Sequence, residues 1–152
     1  MKILGITPAS EHDPSAALII DGKIIAAAEE ERFNRIKHSA GHNPIQAVEY
    51  CLDTAGITMK DIDAIAFCRS FDIAKKLRWR FAWRMRRYPF YALRSIKRVN
   101  RHNRKCWKDA KKLIAHFGCN IKEMDFRPVE HHIAHLSSAY HLSDFENAAV
   151  MS

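Results

Sequence analysis

The chain has 152 residues, 47% of them hydrophobic and 28% charged, a balance that suits a globular protein with one ordinary core. No stretch approaches the roughly 20 apolar residues of a membrane span, and the first residues lack the charged and apolar regions of a signal peptide. Cys51, Cys68, Cys106 and Cys119 form no C-x-x-C pair, so they are expected to be reduced thiols in a cytoplasmic protein. The net charge of +8 is unevenly placed. From Lys75 to Lys112 there are sixteen Lys or Arg and one acid, Asp109, a net +15; the rest has nine bases and sixteen acids, a net −7.

Lys2 to Thr7 is apolar and β-prone around Gly5 and reads as a buried strand, followed by a polar loop from Pro8 to Asp13. Ser15 to Asp21 and Lys23 to Glu29 read as two strands joined at Asp21-Gly22, a strong hairpin signal. Ala16, Ala17, Ala26, Ala27 and Ala28 give these strands little bulk, which permits close approach of a helix or a ligand. The charged run from Glu29 to His38 reads as a solvated strand end with weak internal ion pairs. Asn43-Pro44-Ile45-Gln46 predicts a helix with Asn43 as N-cap and Pro44 at the first helical position. Its apolar stripe is Ile45, Val48, Leu52 and Ala55, and Gly56 stops it. Ile62 to Cys68 is a further short strand.

Residues 70–118 read as a basic α-helical insertion. The basic and aromatic run from Lys75 to Tyr88 is followed by helical stretches over Tyr91 to Asn103 and Cys106 to Phe117. The preferred reading is a cap that packs Trp79, Phe81 and Trp83 on the domain and leaves its arginines in water. Two others stay open: RNA binding, with Arg on phosphates and aromatics stacking on bases, and contact with an anionic membrane surface. After the strand-like Phe126 to Val129 comes Glu130-His131-His132-Ile133-Ala134-His135. His131 and His135 lie four apart, the spacing that lets one helix offer two imidazoles to one metal ion. Two surface histidines that happen to be so spaced is the alternative, and a complete site needs a third ligand, such as a carboxylate, from elsewhere. Glu146 to Met151 begins another β-type run.

The predicted fold class is α/β, a mixed sheet with flanking helices. A three-strand meander, a helix and a fourth strand open an actin-like ATPase or ribonuclease-H-like subdomain. In such folds the loop after the first strand, here holding His12 and Asp13, faces the ligand cleft. The first subdomain is expected to comprise residues 1–69 and 119–145.

His12-Asp13-Pro14-Ser15-Ala16-Ala17-Leu18, Asp21-Gly22, Ala27 to His38 and His131-His132-Ile133-Ala134-His135 together resemble the O-carbamoyltransferases of nodulation-factor and antibiotic biosynthesis. The resemblance covers about residues 1–68 and 125–152 and leaves the basic insertion unmatched. It implies an actin-like ATPase fold similar to the universal tRNA threonylcarbamoyltransferase. It also implies a separate domain that makes carbamoyl adenylate from ATP and carbamoyl phosphate; the carbamoyl group then passes to the hydroxyl of a small molecule or glycan. By the same resemblance His12 and Lys37 are catalytic, Asp13 and Arg35 bind substrate, and His131 and His135 hold an iron-type divalent metal. Without it, His12 reads as a loop histidine bonded to Asp13, and Lys37 as a surface lysine paired with Glu29–Glu31.

In that family the strand matching residues 146–152 leads into an Asp-Gly loop and a second subdomain. The chain is therefore expected to be an amino-terminal fragment, inactive alone, with a possible partner chain supplying the rest. The competing expectation is a non-catalytic half-domain that holds RNA or an anionic surface through its basic insertion.

Overall fold

The computed structural model describes residues 1–68, 80–81 and 83–151. Three strands open the chain as an antiparallel meander: β1 (Lys2–Thr7), β2 (Ser15–Ile20) and β3 (Lys23–Glu29). Asp21 and Gly22 both take positive φ, 49° and 80°, as a two-residue hairpin turn that matches strand twist requires. The hairpin expected from that pair is formed. β4 (Ala64–Phe67) pairs parallel to β1, and β5 (Asp125–Pro128) pairs parallel to β4. The five-stranded sheet thus has the order β3-β2-β1-β4-β5. Parallel neighbours need a crossover, and helices supply both connections. The mixed α/β class read from the sequence is present.

The period of two in the strands decides which face is buried. Leu4, Ile6, Ala16, Leu18, Ala26, Ile65 and Phe67 point to one side and meet two helices there. α2 (Ile45–Ala55) buries Ala47, Val48, Cys51 and Leu52; α3 (Pro89–His116) buries Cys106, Ala110, Leu113 and Ile114. Each fully buried Leu, Ile or Phe contributes about 1.5–3 kcal/mol, so this face holds most of the fold's cohesion. Gly56, at φ 63°, ends α2 with its own N–H on Asp53 O and that of Ile57 on Leu52 O. A short helix, α1 (Glu31–Asn34), follows β3, and α4 (His131–Tyr140) follows β5.

Several expectations need correction. Asn43 does not cap α2, because its side chain is used elsewhere: Oδ1 accepts from Ala9 N at 3.3 Å and Nδ2 donates to Asp109 O at 3.0 Å. The cap comes instead from Glu30, 3% exposed, whose carboxylate accepts from Ala47 N at 2.9 Å and Gln46 N at 3.3 Å. The charged run is therefore not wholly a solvated strand end. An acceptor is favoured at a helix N-terminus, and the amide donors of α2 satisfy the buried Glu30 side chain where water does not reach it.

The two stretches expected over Tyr91–Asn103 and Cys106–Phe117 form one helix, since no Gly or Pro interrupts them. The second half of α3 packs into the core through Cys106, Ala110, Leu113 and Ile114. Trp83 is 72% exposed and Phe81 half-buried, so Trp83 is not largely buried as a packed cap requires; Lys75 to Trp79 lie outside the described residues. Glu146 to Met151 is exposed and irregular, because a strand forms only against a partner and this run pairs with neither sheet edge.

Candidate functional site at the carboxyl edge of the sheet

Strand register fixes which chain segments leave the sheet together. Thr7 pairs with Ser15 and Ser15 with Glu29, while Ile6 pairs with Phe67 and Phe67 with Pro128. The carboxyl ends of β1, β3, β4 and β5 therefore lie along one edge. The segment after β1 carries His12 and Asp13, that after β3 carries Arg35 and Lys37, and that after β5 carries His131 and His135. All six sequence-predicted residues are on segments leaving this edge, the usual place for ligands in sheets with parallel strands. All six are exposed.

A groove of about 900 Å³ opens on the sheet face away from the core. Ala27, Ala17, Gly5 and Ala66 stand in register across four strands and form its floor. The small residues leave room above the sheet, as expected from the alanine-rich hairpin. Glu29 and Arg32 flank the groove at the β3 side, and Ala134 and Ser138 of α4 border it at the other.

The loop after β1 is fastened to α3. Glu11 N donates to Pro8 O at 3.0 Å, Ser10 Oγ bonds Asp109, and Asn43 bridges Ala9 N to Asp109 O. Asp109 is nearly buried, an uncommon place for a carboxylate unless it is hydrogen-bonded. The loop's tip then turns at Asp13, whose φ of 54° is left-handed.

The segment after β3 is equally constrained. Arg35, His38 and Ser39 have φ of 59°, 60° and 43°. With Asp13 they make four of the five non-glycine residues of positive φ among the described residues. Each such conformation costs roughly 1–2 kcal/mol unless local bonds support it, and here they do. Asp13 Oδ1 lies 2.7 Å from His38 Nδ1, and Glu31 Oε2 accepts from His38 N at 2.7 Å. Asn34 Oδ1 accepts from Ile36 N at 2.9 Å, and its Nδ2 donates to the buried Ser39 Oγ. Strain concentrated in two adjoining loops is typical of segments shaped for a ligand rather than for stability.

Asp13 therefore bonds His38, not His12 as the simpler reading expected, which leaves the His12 ring on the exposed loop. The run Glu29–Glu31 pairs with Arg32 (3.0 Å from Glu29) and, through Glu30, with α2. Neither His38 nor Glu30 was singled out from sequence. An Asp and a His twenty-five positions apart give no local signal, and Glu30 looks like its neighbours until α2 is docked.

On α4, Glu130 caps the helix by accepting from Ile133 N at 2.8 Å. One turn apart, the His131 and His135 Nε2 atoms converge to 3.2 Å. Two imidazoles sharing one ion at bond lengths of about 2.0–2.1 Å hold their nitrogens roughly 3–3.4 Å apart, so the pair fits a divalent metal. Among the described residues no third His, Cys, Asp or Glu joins them. No described helix is long and apolar enough to cross a membrane.

A family profile described as "Carbamoyltransferase N-terminus" matches residues 2–152. The chain is 38% identical, over 98% of its length, to the uncharacterized protein sll1178 of Synechocystis, of which it covers 24%. It is 32% identical, over 93% of its length, to the nodulation protein NolNO of Sinorhizobium fredii, of which it covers 19%. A 56-residue stretch, 37% of this chain, is 52% identical to an uncharacterized 19.2 kDa protein from Rhizobium etli, of which it covers 32%. The chain thus spans about a fifth to a quarter of the length of the first two relatives.

Proposed function

The chain belongs to the carbamoyltransferase family, matching its amino-terminal part, and from that membership we propose that it forms the acceptor side of an O-carbamoyl transfer site. The supporting observation is the common sheet edge from which the segments carrying His12, Lys37 and the His131–His135 pair all leave. The sheet order, with an antiparallel β2 between β1 and β3 and parallel β4 and β5, supports the actin-like or ribonuclease-H-like assignment.

In this reading a small-molecule or glycan hydroxyl enters beside His12, which takes its proton as the oxygen attacks the carbamoyl carbon of carbamoyl adenylate. The new carbon–oxygen ester bond forms, the bond from that carbon to the phosphate oxygen breaks, and the adenylate leaves with the electron pair. Lys37 places positive charge near the departing phosphate, and Arg35, held in its left-handed turn, directs a second cation to the same side. Asp13 fixes His38 and thereby the shape of the loop pair, so its contribution to substrate binding passes through that contact. His131 and His135 would hold a divalent metal, which supplies Lewis-acid polarisation when bound. ATP and carbamoyl phosphate are co-substrates of the longer protein in this reading.

The test is transfer of labelled carbamoyl from carbamoyl phosphate and ATP to hydroxyl acceptors, by a protein in which this chain replaces the amino-terminal part of NolNO. Label should reach the acceptor, and His12→Ala should slow transfer by about 10²–10⁴-fold with metal content unchanged. Transfer that is indifferent to both His12→Ala and Lys37→Ala would remove the site.

One observation favours a second reading. Trp83, Tyr88 and Phe90 are 72%, 64% and 87% exposed beside Arg84, Arg86 and Arg87, with the Arg86 guanidinium 5.1 Å from the centre of the Trp83 ring. Such a surface suits stacking and phosphate contact, as for single-stranded RNA. Salt-sensitive quenching of Trp83 fluorescence by RNA would support it; no change at moderate salt would leave the patch unassigned to nucleic acid.

A further inference from the structure

Away from the groove face, three side chains of different chemistry converge between the β1–β2 loop and α3. Glu11 Oε1 lies 3.2 Å from His102 Nε2 and 3.4 Å from Cys106 Sγ, and the sulfur lies 3.7 Å from the same nitrogen. His102 and Cys106 are one turn apart on α3, while Glu11 comes from the facing loop. Cys106 is fully buried, and the His102 and Glu11 side chains are 35% and 15% exposed.

From this geometry we propose that Glu11, His102 and Cys106 are three ligands of a structural site for a zinc-like divalent cation, distinct from the His131–His135 pair. A tetrahedral ion at about 2.3 Å from sulfur and 2.0–2.1 Å from nitrogen and oxygen sets ligand separations of roughly 3.3–3.6 Å. The three observed separations bracket that range. A thiolate, an imidazole and a carboxylate select a borderline-soft ion over magnesium or calcium, which prefer all-oxygen sites. The exposed edge of His102 leaves access for water as the fourth ligand. Binding releases the thiol proton to solvent, so affinity rises with pH.

Two other readings fit less well. A Cys-His-Glu trio also occurs in nucleophilic enzymes, but a fully buried sulfur offers no approach to a substrate carbonyl. The cluster of Asp13, Glu31 and His38 is a second grouping of potential ligands. Its Asp13 and His38 are exposed, and its hydrogen bonds already account for the loop conformation.

An ion here would clip the loop carrying His12 and Asp13 to α3, one residue before His12. That consequence for transfer rests on the function proposed above; the ion site itself does not.

The test is titration of Co²⁺ into the reduced 152-residue chain, followed by near-ultraviolet absorption. A thiolate-to-cobalt charge-transfer band should appear, vanish in Cys106→Ser, and need more than about tenfold higher Co²⁺ in His102→Ala or Glu11→Gln. It should persist in His131→Ala/His135→Ala, and Zn²⁺ should raise the thermal midpoint of the wild-type chain but not of His102→Ala. His102 is partly exposed, so its replacement keeps the test valid should Cys106→Ser disturb the core. The absence of a thiolate band, its survival in Cys106→Ser, or its loss with the α4 histidines would each overturn the site.

Discussion

The two halves of α3 share a helix and a heavy load of positive charge, yet they behave as different elements. From Pro89 to Asn103 only Ala92 is buried, while Phe90, Tyr91, Leu93 and Val99 are exposed. From Arg104 to His116 the helix buries Cys106, Asp109, Ala110, Leu113 and Ile114. Hydrophobicity does not separate the halves, since the exposed one carries more aromatic rings and the buried one includes a carboxylate. Position relative to the sheet does. Only the second half lies over β1 and β4, where Leu4, Ile65 and Phe67 offer an apolar face. Trp107 extends that contact by meeting Phe126 edge-on at 5.0 Å.

Substitution should reproduce the contrast. Leu113→Ala deletes a fully buried side chain and should cost about 2–5 kcal/mol in chemical denaturation. Phe90→Ala removes a larger but 87% exposed ring and should stay within about 0.5 kcal/mol of the parent. Equal losses from the two changes would mean that the first half of α3 packs on something in solution, and the comparison would fail.

A smaller effect is expected at Glu30, where the core meets the loop after β3. Glu30→Ala strips the carboxylate from the Gln46 and Ala47 amides and leaves donors at a buried helix start unsatisfied, a loss of about 1–3 kcal/mol. Glu30→Gln keeps an acceptor and should recover part of it. If Glu30→Ala melts like the parent, water replaces the cap at no cost and the carboxylate has another purpose.

These residues also mark how far the sequence could be read. The Asp21-Gly22 hairpin, the Val48–Leu52 stripe, the Gly56 stop and the His131–His135 helix are local patterns, and each appears where its spacing requires. What escaped is long-range. Glu30 is solvated or buried depending on a helix that begins fifteen residues later, and Asn43 chose Ala9 and Asp109 over its own helix. Ser10, Glu11, His102 and Asp109 draw together only because β1 and α3 pack across nearly a hundred residues of chain. The candidate site was legible as three separate motifs; strand register was needed to bring their segments to one edge.

Chemical contrast among the cysteines tests the same core more gently. Burial pushes the Cys51 thiol from 9.0 up to about 11, partly opposed by a hydrogen bond with the Leu18 backbone. At neutral pH Cys51 should react far more slowly with a thiol reagent than the partly exposed Cys68 and Cys119. The sign for stability follows from the raised value: below about 9 both states are protonated and stability is unaffected. Between about 9 and 11 the unfolded thiol ionises while the folded one does not, so stability falls as pH rises through that window. Rapid labelling of Cys51 in the native protein would show that α2 opens readily from the sheet.

The smallest effect should come from the turn that leads into β4. Thr58 and Asp61 form a capping box: Asp61 Oδ2 accepts from Thr58 N at 2.8 Å and from Thr58 Oγ1 at 2.7 Å. Both are exposed, and bonds from the Thr58 backbone and then its hydroxyl hold the Asp61 carboxyl below its usual value. A lowered carboxylate pKa means that the ionised form is favoured in the fold. Its contribution is therefore complete above the ordinary Asp value of about 3.9 and fades as pH falls through the folded value. Asp61→Asn should lower the denaturation midpoint slightly at pH 7, and the deficit should shrink as the pH falls below the ordinary Asp value and the parent loses the same charge. A deficit that stays constant from pH 7 to pH 2 would trace instead to the shape of the turn, and the electrostatic account of this cap would be wrong.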